Sequence, residues 1–229
     1  MSRSVFVAGG DPAIGHAIAR SFIDAGDQVA VGFPRDGAPE GALVVPLDVA
    51  DPDSIEAALA VVEANHGTVE VLVVGTELPR DEPTQLDAGA FDPVVDANLR
   101  NAVGLVRSVV GEMKSGRIVV LSSVGGVRGA ACRSHYAAAH GGLVGFTRSI
   151  ARELGSRFTA NVLALGFVET KAADDDIALH GALYIGDIPL QRTATLEEVG
   201  GMARFLASDD AAYVTGAVIP LDGGYGIGY

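Results

Sequence analysis

Val5-Phe6-Val7-Ala8-Gly9-Gly10-Asp11-Pro12-Ala13-Ile14-Gly15 is the stretch on which the fold turns. A short apolar, β-branched run stops at two glycines. Ile14, Ile18, Phe22 and Ala25 then recur on one helical face until Gly26. The run reads as a buried strand and the recurrence as a helix closed by its glycine. Strand, glycine turn and helix start form a phosphate cradle, because unused N–H groups and the positive end of the helix dipole face the anion. Glycines let the backbone approach a pyrophosphate. Any tight strand-to-helix connection would use such a turn, so the rest of the chain decides between the two.

Beyond Gly26 strands and helices alternate. Val29-Ala30-Val31 is predicted as a second strand and residues 43–47 as a third. Asp51-Pro52 opens a helix, as N-cap and first-turn residues, that reaches about His66. Residues 71–74 are a fourth strand, 92–110 a helix, 118–121 a fifth strand, 136–154 a long helix and 160–165 a sixth strand. An irregular stretch over 167–190 precedes a helix at 197–207 and a last strand at 217–219. Strands that are apolar throughout and alternate with helices indicate a parallel sheet covered on both faces. No repeat, linker or low-complexity tract interrupts the pattern. The expectation is α/β: one domain over residues 1–229, a doubly wound, Rossmann-like parallel sheet with helices on both faces.

Composition narrows the function. Of 229 residues 48% are apolar, enough for one large core. Against 29 Asp and Glu stand only 16 Lys and Arg, and the net charge of −13 argues against nucleic acid or an anionic membrane as partner. No window resembles a transmembrane span, and Met1-Ser2-Arg3-Ser4 leads straight into a strand, so neither membrane insertion nor a signal peptide is expected. A single cysteine, Cys132, excludes an internal disulfide and fits a reducing, cytoplasmic setting. His16, His66, His135, His140 and His180 lack metal-ligand spacing, and Asp174-Asp175-Asp176 reads as a solvated part of a substrate lid, so no metal site is expected.

The chemistry centres on Ser122-Ser123 at the end of the fifth strand and Tyr136 at the start of the next helix. A strand-end hydroxyl facing a helix-borne phenol is a proton-transfer pair suited to carbonyl chemistry. A free tyrosine titrates near 10, so a cation one helical turn on would have to favour the phenolate. The residue at that position is His140.

Gly9-(3)-Ala13-Ile14-Gly15, Asn98-Leu99, Ser123, Tyr136-(3)-His140 and Leu221-Asp222-Gly223-Gly224 resemble the short-chain dehydrogenases/reductases. Asp48-Val49, residues 149–154, 205–208 and 216–220 are similar to the bacterial 3-oxoacyl-carrier-protein reductases, the actinobacterial type in particular. The likeness covers essentially the whole chain. It implies a homotetramer, NADP(H), and a β-ketoacyl substrate on an acidic carrier protein. It also implies that Tyr136 gives a proton to the ketone oxygen, that Ser123 binds the same oxygen, and that Asn98 anchors a water of the proton relay. Gly9, Ala13, Ile14, Gly15, Asp48, Val49, Gly75, Val168 and Thr170 are the implied cofactor contacts, with Val168 and Thr170 at the nicotinamide carboxamide and phosphate.

The departures from that pattern cluster around the cofactor. His140 stands for the lysine that lowers the tyrosine and holds the nicotinamide ribose; an imidazolium would do this work only near or below pH 6.5. Ala8 and Ala13 replace a threonine and a glycine in the turn. Asp11-Pro12 replaces Asn-Arg, removing a cation and placing a carboxylate beside the phosphate site. Phe33-Pro34 takes the place of another arginine, with Arg35 adjacent as a substitute, and Glu77 falls where the family has glycine. Together these lead to the expectation of weak or altered binding of NADP(H) or NAD(H).

Two functions fit this pattern. One is a ketoreductase of a carrier-bound, polyketide-like or small ketone. The other is a non-catalytic subunit that assembles with an active paralogue. In either case Ala102, Leu105, Gly142 and Gly145 are expected on a second, exposed helix face where homo- or hetero-oligomers would form.

Overall fold

The computed structural model describes residues 2–32, 38–76, 88–131, 133–170 and 183–227. Arg35, Glu77, Cys132, the Asp174 to Asp176 run and His180 lie outside the described residues. Seven strands form one parallel sheet: β1 (Ser4–Ala8), β2 (Gln28–Gly32), β3 (Leu43–Val44), β4 (Val71–Val74), β5 (Gly116–Ser123), β6 (Phe158–Leu165) and β7 (Val218–Leu221). Their spatial order is β3-β2-β1-β4-β5-β6-β7.

Successive side chains of a strand point to opposite faces, and here both faces are covered. Val5 and Val7 pack with Ile14, Ile18 and Phe22 of α1 (Pro12–Asp24) and with Val199 and Leu206 of a helix at Leu196–Leu206. Phe6 and Ala8 face the other way. They pack with Ile55 and Leu59 of α2 (Pro52–His66), Leu105 and Val109 of a helix at Asn101–Glu112, and Leu143 of one at Ser134–Leu154. Each fully buried branched aliphatic contributes about 1.5–3 kcal/mol.

In chain order the remaining helices are α3 (Ala88–Val95), α4 (Asn101–Glu112), α5 (Gly125–Arg128), α6 (Ser134–Leu154), α7 (Leu183–Gly186) and α8 (Leu196–Leu206). The helix predicted over 92–110 is thus two helices. Between them Asp96–Arg100 forms a π-helical turn, where the Asn101 N–H donates to the Asp96 carbonyl. The third strand is shorter than the predicted 43–47: Val45 N–H still donates to Val31, but Pro46 has no N–H to continue the ladder. The expected second apolar face is also corrected. Ala102 and Leu105 are core residues, and Gly142 makes room for Leu99, whose Cδ2 would lie 2.7 Å from a Cβ there. Only Gly145 of the four is exposed. Among the described residues no helix is long and apolar enough to cross a membrane.

Between β1 and β4 the winding reverses direction, which opens a crevice at the carboxyl ends of these strands. Two backbone segments meet there. Gly75 N–H donates to the Ala8 carbonyl at 2.8 Å, and a Cβ on Gly10 (φ +82°) would sit 2.6 Å from the Thr76 nitrogen. Only glycine fits that turn.

Candidate active site

A cavity of about 240 Å³ runs from the start of α1 past the end of β5 to the segment after β6. Ser123, Tyr136, Ile14, Val168 and Thr170 all line it. Strand alternation separates the two serines. Ser122 is buried, with Oγ 3.1 Å from His140 Nδ1 and 3.3 Å from the His140 carbonyl, to which it donates. Ser123 Oγ accepts the Gly125 N–H at 3.1 Å, which fixes the oxygen as the chain turns into α5. Its hydroxyl proton remains available to an oxygen in the cavity.

Tyr136 is 7% exposed, and its ring lies 4.0 Å, centroid to centroid, from the imidazole of His140. His140 itself is wholly buried, and burial lowers its pKa from 6.5 to about 3. It is neutral at physiological pH and is not among the residues lining the cavity. An imidazolium replacing the lysine is therefore not what the structure holds. The cause is helix packing: a Cβ on Gly126 of α5 would lie 2.6 Å from the His140 Cβ, so α5 seals this face of α6. His140 Nε2 has no hydrogen-bond partner among the described residues.

Asn98 stands on the π-helical turn, 4% exposed. Its Nδ2 donates to the Val94 carbonyl at 3.1 Å, and its Oδ1 has no partner among the described residues. Asn98 does not line the cavity either. Thr170 N–H donates to the Val168 carbonyl at 2.7 Å, and Val168 is held by a β-bridge to Ala194. Both are buried.

Further cavity residues escaped the sequence reading. Arg128 and Arg133 line the same space, and the Arg128 guanidinium lies 3.9 Å over the ring of Tyr225, which packs edge-on against Phe167 at 5.5 Å. Two arginines between Ser123 and Tyr136, in a chain of net charge −13, were the available signal.

The crevice next to this cavity holds the expected cofactor residues. Gly9 packs against Gly75 and Val49, whose Cγ1 would be 3.5 Å from a Cβ on Gly9. Asp48 is exposed and caps its own loop: its Oδ1 accepts the Ala50 N–H and its N–H donates to Ser54 Oγ, both at 2.9 Å.

At the start of α1 the arrangement differs from a cradle with unused amides. Asp11 Oδ1 accepts the Ala13 N–H at 2.9 Å and the Ile14 N–H at 3.1 Å. Pro12 has no N–H, and Gly15 N–H already donates to the Asp11 carbonyl at 2.9 Å. The first turn of α1, as arranged, does not fit a pyrophosphate held by its amides.

Comparison with known proteins gives one direction. A family model described as enoyl-(acyl carrier protein) reductase matches residues 8–226. The 3-oxoacyl-(acyl-carrier-protein) reductase MabA of Mycobacterium tuberculosis (strain ATCC 25618 / H37Rv) is 42% identical over 237 aligned residues, 100% of this chain and 95% of its own. The MabA protein of Mycobacterium avium is 41% identical over 100% of this chain and 92% of its own. The 3-oxoacyl-(acyl-carrier-protein) reductase FabG of Escherichia coli (strain K12) is 37% identical over 78% of this chain and 75% of its own.

Proposed function

Since the chain belongs to the short-chain dehydrogenase/reductase family, we propose that it reduces the ketone of a carrier-protein-bound acyl chain to the alcohol. The nicotinamide dinucleotide that the family implies, NADP(H) or NAD(H), is the reductant. The observation that carries this reading is the shared cavity of Ser123 and Tyr136. A hydroxyl pair meets an oxygen, which favours a ketone over the carbon–carbon double bond of an enoyl substrate. It also agrees with the activity in the names of the relatives.

Ser123 donates a hydrogen bond to the ketone oxygen and holds it against Tyr136, which gives that oxygen its proton. A positioned proton donor is worth about 10²–10⁴ in rate, and one donor to a developing oxyanion about 10²–10³. His140 packs against the ring of Tyr136 and acts on its position, and Asn98, with its buried Oδ1 unpartnered among the described residues, is the implied anchor of the relay water. Gly9, Ala13, Ile14, Gly15, Gly75, Asp48, Val49, Val168 and Thr170 form the cofactor side, and Arg35, which lies outside the described residues, is assigned to the cofactor from its sequence position alone. The protein works as a homo-oligomer, the homotetramer that the resemblance implies, in the cytoplasm.

Acetoacetyl-coenzyme A, a small thioester ketone, tests the reading with NADPH and NADH. Tyr136→Phe should lower kcat by about 10²–10⁴ at an unchanged unfolding midpoint. Absence of turnover by the wild-type protein at millimolar cofactor would overturn it. The second reading, a non-catalytic subunit paired with an active paralogue, draws its support from the Asp11 cap on α1. Absence of dinucleotide binding together with co-purification of a paralogous reductase would favour it.

A further inference from the structure

Asp11 stands where two demands on the same backbone groups collide. Its carboxylate oxygen takes both available amides of the first turn of α1, those of Ala13 and Ile14. Asp11 also lines the cavity, so it faces the space a ligand enters. The turn before it cannot widen to offer other amides: Gly10 is held at φ +82° with the Thr76 nitrogen and the Gly75 backbone within 2.8 Å of where a Cβ would be. After it Pro12 removes one more donor and fixes the backbone.

Resting on the dinucleotide-dependent reading above, we propose that Asp11 is a built-in competitor for the cofactor's pyrophosphate. A dinucleotide binds only after the Asp11 side chain has rotated out of the helix cap. The displaced carboxylate then stays beside a diphosphate of the same sign. Capping strength is not the obstacle, because asparagine, aspartate and serine cap helices about equally well. The difference lies in the charge that remains after displacement. Asp11 therefore determines cofactor affinity while contributing nothing to the ketone chemistry itself.

Asp11→Asn separates charge from capping. Titrations of the full-length wild-type and variant proteins with NADPH and with NADH, followed by calorimetry, read the dissociation constants directly. The variant should bind both dinucleotides at least tenfold more tightly, with a cofactor-free unfolding midpoint like that of wild type. Amide hydrogen exchange at Ala13 and Ile14 in the wild-type protein should change when NADPH is added, as the cap is exchanged for phosphate. Unchanged dissociation constants in Asp11→Asn would overturn the proposal, and so would absence of binding by both proteins at millimolar cofactor. Wild-type ketone turnover with affinities that Asp11→Asn leaves unchanged sinks this inference alone. Tenfold tighter binding by a variant that reduces no ketone sinks the ketoreductase reading instead.

Discussion

The imidazole of His140 lies one helical turn beyond Tyr136 on α6, its ring centroid 4.0 Å from that of the phenol and the planes tilted by 48°. Residues four apart on a helix share a face, which is why the two rings touch. Because His140 is neutral, the contact is packing between two rings and not a charge beside a phenol. An imidazolium-assisted tyrosine would lose rate as pH rises through about 6.5. Burial moves the histidine to about 3, so kcat for ketone reduction should show no such loss between about pH 5.5 and 7.5. A fall in kcat centred near pH 6.5 that vanishes in His140→Gln would show that the imidazole carries a proton in the folded enzyme.

The same burial couples stability to acid. With the folded value near 3 and the unfolded value near 6.5, the unfolded chain binds a proton that the folded chain refuses throughout that window. Stability from this group is complete above about pH 6.5 and is lost as pH falls toward 3, by up to about 1.4 kcal/mol per pH unit. Urea unfolding at pH 7 and pH 5 should show a smaller drop for His140→Gln than for wild type. Equal drops would place the histidine's titration outside this window.

Ser122 and Ser123 are adjacent, yet their substitutions should fail differently. Ser122→Ala removes the hydroxyl that meets a buried imidazole nitrogen and should cost about 1–3 kcal/mol of stability. Ser123→Ala removes a donor that faces the cavity and should lower kcat by about 10²–10³ with little change in stability. Chemical denaturation and steady-state kinetics on both variants separate the two roles. Equal kinetic losses would mean that Ser122 also reaches the substrate.

The strands were legible because burial on both faces leaves continuous apolar runs such as Val71 to Val74, and their alternation with helices dictates a parallel sheet. The α2 start was legible from Asp51-Pro52, and Asp51 Oδ1 indeed accepts the Asp53 N–H at 3.1 Å. The π-helical turn at Asn98 was not, since one i→i−5 bond leaves no compositional trace. Nor was the burial of His140, which depends on Gly126 of a helix that is only four residues long. The order of residues places the Asp11 carboxylate near a phosphate site. That a single oxygen takes two amides is visible only in the backbone geometry.

The crevice depends on how α1 is seated, and α1 rests on α8. A Cβ on Gly200 would lie 2.9 Å from the Ala17 carbonyl oxygen and 3.0 Å from Ser21 Cβ. Backbone cannot yield there without shifting a helix. Gly200→Ala should therefore destabilise by about 1–3 kcal/mol, although alanine is the better helix former. Thermal unfolding checks this, and a stabilised variant would mean that the two helices separate at little cost.

Gly126 sets the distance between α5 and α6, and so between Ser123 and Tyr136. A Cβ there would meet the His140 carbonyl carbon and Cβ at 2.6 Å and the Gly141 nitrogen at 2.8 Å. Since α5 begins with the Gly125 N–H that holds Ser123 Oγ, pushing α5 outward moves the serine away from the phenol. A displacement of about 1 Å costs on the order of 10² in rate. Gly126→Ala should thus lower kcat by about that factor and stability by about 1–3 kcal/mol. Gly145→Ala on α6, the helix against which α5 packs, is the control, because its Cβ would point into open space. It should gain up to about 1 kcal/mol from helix propensity and leave kcat unchanged. If Gly126→Ala kept full activity, the spacing of the two helices would not be what aligns Ser123 with Tyr136.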